Sequence, residues 1–225
     1  MPFLLRFFPF WLHFFSITFV SCYYVDKVMK VMRENAERLA EWCCEKNWIN
    51  AEDRMWCVYV LEKWMGILLF FSSVTVWMAV SGLWGETLGF LIPFYLLRRR
   101  IGGCHAKSAR ACYLISMGLV ILISAFLGRW LLLLPRELIL LLDGAAVLAG
   151  LLLSPAYPPQ VNFTEEEKAA NGRKKNLLLG EFFLLQLVTT VIPGFRFPAF
   201  SFCGISVSLI TVIIQKKLLK RGFER

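Results

Sequence analysis

Apolar positions along the chain fall into six runs, and the charges gather in a few blocks among them. Residues 64–85, 111–128 and 197–215 contain no Asp, Glu, Lys or Arg; residues 138–155 contain only Asp143 and residues 177–195 only Glu181. A further run, 82–97, is shorter and carries Glu86 near its start. Crossing a bilayer core takes about 20 apolar residues in helix, and backbone polar groups in lipid must be satisfied within the segment. The pattern predicts an all-α polytopic membrane helix bundle, with about six transmembrane helices over residues 64–215.

The chain before these runs has a different rhythm. Val25, Val28, Met29, Met32, Ala36, Leu39 and Cys43 recur on one helical stripe, and Lys30, Arg33, Glu34, Glu37, Arg38 and Glu41 lie away from it. This predicts an amphipathic N-terminal helix on the cytoplasmic side, lying on the membrane surface or packed against the bundle. Asn50 reads as an N-cap, with Glu52 and Asp53 in the first turn of the next helix, so residues 25–63 form an amphipathic region of their own. Residues 1–24 are rich in Phe, with Arg6 and His13 as their only basic side chains. They read as a signal-like segment, as an extra span, or as sequence upstream of a start at Met29 or Met32.

Lys and Arg orient such a bundle, because their excess stays in the cytoplasm. They concentrate in residues 25–63, 98–110, 156–176 and the basic tail 216–225, whereas the alternate turns hold only Arg129, Arg136 and Arg196. Six crossings put all four rich segments on one side. The protein is therefore expected to be a multi-pass cell-membrane protein with residues 98–112 facing the cytoplasm.

Composition agrees. With 58% hydrophobic residues, 18% charged residues and a mean hydropathy of +0.60 over 225 residues, the chain departs from soluble domains, which carry about a quarter charged residues. The net charge of +9 follows from the orienting Lys and Arg, which also attract anionic membrane lipid. No nucleic-acid-binding motif accompanies it. Most of the seven cysteines fall within spans or on the cytoplasmic side, where thiols stay reduced. A second hydrophilic stretch, 154–175, opens with Pro155, Pro158 and Pro159 and continues into Thr164 and Glu167, the spacing of a capping box. It predicts a proline-stiffened exit followed by a short charged helix.

One segment carries chemistry: Arg98-Arg-Arg-Ile-Gly102-Gly103-Cys104-His105-Ala-Lys107-Ser108-Ala-Arg110-Ala-Cys112. A thiol beside an imidazole is the simplest pair for cutting an amide, since the thiolate attacks and a neighbouring base or positive field favours it. Spacing imposes a condition. In one straight helix, residues seven apart are separated by about 10.5 Å along the axis, whereas the pair must meet at about 3 Å. Gly102 and Gly103 allow a break just before His105; a bend between Ala106 and Ala111 does not follow from sequence. Cys104 is a second candidate thiol, although adjacent side chains diverge. A metal site of Cys104, His105 and Cys112 lacks the paired spacing and fourth ligand of structural zinc. From spacing alone, structural and catalytic roles both remain open.

The segment resembles the signature of the accessory gene regulator B (AgrB) family, carried here by Arg98, Gly102, Gly103, His105, Ala106, Ser108, Cys112 and Ser116. The similarity covers most of residues 25–215. It implies a membrane cysteine endopeptidase that removes the C-terminal part of a short propeptide (AgrD-like) destined to become a cyclic quorum-sensing signal. By that resemblance Cys112 is the nucleophile and His105 its base, supported by Arg98, Gly102, Gly103 and Ser108. It implies an acyl-enzyme thioester that a Cys or Ser of the peptide displaces to give a thiolactone or lactone, with no cofactor and no metal. Cys104 stands where the family usually has a bulkier residue without a thiol, and residues 1–24 are not a usual family feature.

Asp143 and Glu181 lie inside predicted spans, where carboxylates are costly. Each reads as a third member orienting His105 or as a protonated or paired structural carboxylate. The competing reading is a small transporter or permease subunit for peptide export with these two acids along its path. The inverted repeats of many transporters are not visible in the sequence. Assembly into a homo-oligomer is left open.

Overall fold

The computed structural model describes residues 25, 27–103, 108–157, 163–192 and 197–223. The apolar extension 1–24, Cys104, His105, Lys107, Pro158 and Pro159 lie outside the described residues. Among the described residues, regular structure is helical throughout. Helix α1 covers residues 27–45. After a single 3₁₀ turn at Ala51–Asp53 come α2 (Arg54–Ser81), α3 (Trp84–Ile101) and α4 (Ala109–Leu122). A π-helical turn, Ile123–Leu127, leads α4 directly into α5 (Gly128–Leu131), followed by α6 (Arg136–Leu152), α7 (Glu165–Thr190) and α8 (Phe197–Phe223).

Among the described residues, three stretches of helix are long and apolar enough to cross a membrane: Ala51–Ser81 with 31 residues, Ala109–Leu131 with 23 and Phe197–Lys220 with 24. The protein is a membrane protein on these grounds. The other runs also lie on helices, but these are shorter or more polar. Helix α3 has 18 residues and carries Arg98, Arg99 and Arg100 in its last turn; α6 has 17 residues. The charged helix expected after the prolines does not stop. It is the first part of the 26-residue α7, because no residue between Glu165 and Leu177 breaks the turn. Its start is the capping box read from sequence: Glu167 N donates to Thr164 Oγ1 at 3.2 Å, and Thr164 N donates to Glu167 Oε2 at 2.9 Å.

The chain divides into two compact units, Met1–Val74 with Ala106–Met117 and Thr75–His105 with Gly118–Arg225. In the first, Ala36 and Ala40 of α1 are fully buried and pack with Val58 of α2, with Cys57, Leu61 and Met65 alongside. The stripe predicted for α1 is rotated: Val25 and Ala36 are buried, but Val28 and Leu39 are exposed and Ala40 takes their place. Two alanines one turn apart admit the neighbouring helix more closely than Leu does. Asn50 occupies the N-cap position, but its side chain makes no capping bond; its carbonyl accepts from Asp53 N at 3.0 Å. Tyr113 of α4 and Ser73 of α2 share a hydrogen bond of 2.7 Å between hydroxyls.

In the second unit α6 and α7 run antiparallel, as a ladder of contacts shows. Arg136 Nη1 donates to Thr190 O at 3.2 Å, Gln186 Nε2 to Asp143 Oδ1 at 3.1 Å, and Lys175 Nζ to Leu153 O at 2.8 Å. Helices α3 and α8 run parallel. Gly89 lies by Phe200, Gly204 by Phe90, and Ser208 Oγ donates to Phe94 O at 3.3 Å. Leu97, Ile101, Val147, Leu179, Phe182, Ile205, Leu209 and Val212 form the core between these four helices. A Cβ on Gly204 would sit 2.5 Å from Phe90 O, so glycine sets the distance between α3 and α8, as small residues do at membrane helix contacts.

Candidate functional site

The chain breaks where the glycine pair predicts. Helix α3 ends at Ile101, and Gly102 N makes its last bond, to Arg98 O at 3.1 Å. Gly102 and Gly103 then take φ of 74° and 134°, in the region that L side chains avoid. Space forbids a side chain as well. A Cβ on Gly102 would run into Ala156 O and stand 3.0 Å from the Tyr157 ring; one on Gly103 would lie 2.7 Å from Thr211 Oγ1 and 3.1 Å from Arg98 Nη1. The Arg98 guanidinium itself lies over the Phe94 ring, 5.7 Å from its centroid.

On the other side of the segment, α4 begins at Ala109. Ser108 caps it: Ala111 N donates to Ser108 Oγ at 3.2 Å and Cys112 N to Ser108 O at 3.0 Å. This satisfies amide groups that a helix start otherwise leaves unpaired. Cys112 therefore sits at the first turn of a helix, where anions are favoured, as a half-buried free thiol. The Cys112-bearing helix starts only three residues before it. Cys104 and His105 lie outside the described residues.

The glycine pair is held from behind by residues 153–157, a short strap between α6 and α7. Ala156 N donates to Ile101 O at 2.9 Å and Gly103 N to Ala156 O at 3.2 Å, which forms an isolated β-bridge. The Tyr157 hydroxyl donates to Arg100 O at 2.6 Å, and the Tyr157 ring meets Phe163 edge-on at 4.6 Å between centroids. Lys216 Nζ donates to Ser154 Oγ at 2.7 Å and Arg100 Nη1 to Asn171 Oδ1 at 3.4 Å. At the foot of the strap Lys175, only 4% exposed, donates to Gly150 O at 2.7 Å, Leu151 O at 3.3 Å and Leu153 O at 2.8 Å. These are the carbonyls that the end of α6 leaves without helical partners. Burial, and then the nearby Lys216 ammonium, push Lys175 below its ordinary pKa. Burial pushes the Tyr157 phenol upward, partly offset by Asn171 and by Arg100.

The two membrane-segment carboxylates part company. Asp143 is fully buried on α6 and accepts from Gln186. It lies about 14 Å along the helix axis from Leu152 at the strap end. Glu181 is exposed, on a face of α7 that turns away from buried Leu179, Phe182 and Gln186. Among the described residues no three His, Cys, Asp or Glu side chains form a group that can hold a metal ion.

The family model described as accessory gene regulator B matches residues 36–215. The chain belongs to the AgrB family. No curated protein and no solved structure matches it. Membership places this AgrB protein in quorum-sensing propeptide processing, with an AgrD-like propeptide as the general partner. The match begins in α1 and ends within α8, so it takes in the glycine pair, Cys112, the strap, Lys175 and the Asp143–Gln186 pair. Sequence reading singled out the glycines and Cys112 but missed Ala156, Tyr157 and Lys175. Lys175 stands beside Arg173 and Lys174, and nothing in its local sequence separates a buried capping amine from a solvated charge.

Proposed function

We propose that this AgrB protein is a multi-pass membrane cysteine endopeptidase that removes the C-terminal part of a short AgrD-like propeptide, with Cys112 as nucleophile and His105 as its base. The observation that carries the reading is the placement of Cys112. A half-buried thiol sits in the first turn of a capped helix, which starts six residues after two glycines held at positive φ. The start of that helix at Ala109 supports the bend that the spacing requires of the pair. Six crossings, with this segment on the cytoplasmic side, fit the antiparallel α6–α7 and parallel α3–α8 directions, which are those of crossings four and five and of crossings two and six.

His105 takes the Cys112 proton, and the thiolate sulfur attacks the carbonyl carbon of the scissile amide. Collapse of the tetrahedral adduct breaks the C–N bond. The leaving amine takes the proton back from the imidazolium, and the N-terminal peptide stays on Cys112 as a thioester. A thiol within the same peptide then attacks that carbonyl, passing its proton to the Cys112 sulfur by way of His105. One thioester replaces another, so the exchange costs little, and an intramolecular thiol acts at an effective molarity of about 10⁵ M or more. The product is a thiolactone, or a lactone where a Ser hydroxyl attacks. Arg98, Gly102 and Gly103 shape the approach to His105, and Ser108 holds the start of α4. The cytoplasmic Lys and Arg attract both an acidic propeptide tail and anionic lipid by screened charge.

The test is co-expression with a candidate propeptide and mass spectrometry of the products. Cys112→Ala and His105→Ala each abolish cleavage, whereas Cys104→Ala leaves it largely intact. Cutting that survives in Cys112→Ala would move the nucleophile elsewhere.

A further inference from the structure

Two buried oxygens between α6 and α7 lack the donor that would serve them. Asp143 and Gln186 are both 0% exposed, and Gln186 Nε2 donates to Asp143 Oδ1 at 3.1 Å. That bond uses one polar atom of each planar group. The other two, Asp143 Oδ2 and Gln186 Oε1, are buried without a hydrogen bond. As a carboxylate, Asp143 can only accept, and so can the amide oxygen. Turning the amide over moves its surplus oxygen against Asp143 Oδ1 and mends nothing.

A buried carboxylate also needs a positive partner, and the surrounding elements do not bring one to it. All of them belong to the second unit. Helix α6 packs against α7 and α8. On α7, Glu181 is exposed, and Lys175 is held by Gly150 O, seven residues beyond Asp143 and about 10.5 Å along the axis. The other charges of α7 lie before Lys175, farther still. Arg136, seven residues before Asp143 on its own helix, donates to Thr190 O at the opposite end of the contact. Lys216 of α8 bonds Ser154, past Gly150. The titratable group that α8 brings near Asp143 is the buried Cys203 thiol, a weak donor without positive charge. A hard metal cation takes about six oxygens or more, and the pair has two to spare. A proton needs one oxygen to ride on and one to point at.

We infer that Asp143 and Gln186 form a buried proton-binding site, with the proton held on Asp143 Oδ2 and donated to Gln186 Oε1. Acid and amide then bond reciprocally, N–H to oxygen and O–H to oxygen, and one hydrogen satisfies both spare atoms. The proton comes from water and returns to it, and nothing else changes hands. Loaded, the pair joins α6 to α7 by two bonds. Unloaded, it sets a carboxylate against an amide oxygen, and the two helices lose their hold on each other at mid-length. The site is a proton-dependent clasp, and it stands independently of the endopeptidase reading.

Infrared spectroscopy of the full-length protein in lipid nanodiscs, read as parent minus Asp143→Asn, tests this. At neutral pH the difference shows the carbonyl stretch of a protonated carboxylic acid, which shifts on deuteration. In Gln186→Leu the band moves to higher frequency, as for an acid that has lost its acceptor. Alkaline pH removes the band. Amide exchange around Asp143 then runs about tenfold faster in the parent than in Asp143→Asn at the same pH, since the amide pair keeps its bonds when the acid pair loses one. Asp143→Glu keeps the acid and moves the band without losing it, which decides the matter should Asp143→Asn not fold. A carboxylate stretch in place of the acid band at neutral pH overturns the site, and a dependence of that stretch on sodium or potassium would give the spare oxygens to a cation. An acid band that ignores Gln186→Leu overturns the reciprocal pairing. Equal exchange in parent and Asp143→Asn at alkaline pH overturns the clasp.

Discussion

Asp143 of α6 and Gln186 of α7 form a buried pair in which Gln186 Nε2 donates to Asp143 Oδ1 at 3.1 Å and neither residue has any exposed surface. The second carboxylate oxygen, Asp143 Oδ2, and the amide oxygen, Gln186 Oε1, make no hydrogen bond. Two acceptors are left over where a single added donor would serve. Asp143→Asn supplies an amide hydrogen at nearly constant shape, and it is expected to leave stability unchanged or raise it by about 1 kcal/mol. Gln186→Leu removes the one donor and should cost about 1–3 kcal/mol. Chemical unfolding in detergent micelles measures both. Propeptide cleavage by Asp143→Asn should stay close to the parent, because a carboxylate that oriented a catalytic imidazole would lose activity by orders of magnitude on this change.

Gly102 and Gly103 allow a sharper prediction, because conformation and space act together. Alanine at either position meets a positive φ and a neighbouring atom at once. The backbone strain alone is of order 1–3 kcal/mol. Relief requires the strap to move off Ile101 or Thr211 to give way. Each variant should lose cleavage by at least about tenfold, the rate equivalent of roughly 1.4 kcal/mol, while the rest of the unit keeps its hydrogen-exchange protection. Full activity in Gly103→Ala would mean that the turn is not held as the structure shows.

Ser108 is the cap that starts α4. Ser108→Ala should destabilise that start by about 1 kcal/mol, and Ser108→Asp should restore it, since both Ser and Asp accept from the third helical amide. The measurement is amide exchange at Ala111, which donates to Ser108 Oγ. Exchange speeds up in the Ala variant and slows again in the Asp variant. Cleavage should follow the same order with a smaller amplitude than in the glycine variants, because loss of a cap frays a helix but leaves its direction intact.

Local features of this fold were legible because short-range rules decide them. Thr164 and Glu167 three apart form the capping box, since both partners lie within one turn. Adjacent glycines before His105 end α3, since φ above zero is a property of the residue. Long uncharged runs become helices, since lipid leaves the backbone no other way to satisfy its polar groups. The covered side of a helix was harder to read. On α1 the sequence pattern favoured Leu39, and the structure buries Ala40, because close approach of α2 selects the smaller side chain.

Pairings across the chain belong to the tertiary structure. Asp143 and Glu181 look alike to hydropathy, each a lone acid in an apolar run, yet α7 turns Gln186 toward one and turns the other outward. Lys175 reads as one of several cytoplasmic charges until the antiparallel docking of α6 and α7 sets it beneath three carbonyls. The strap at Ala156 meets Gly102 across more than fifty positions of sequence, and no local rule reaches that far. Sequence alone determined that the apolar runs are helical and that the glycine pair ends α3, because backbone conformation and apolar patterning are local. Only the folded chain decided which polar groups are buried together, because that depends on which helices become neighbours.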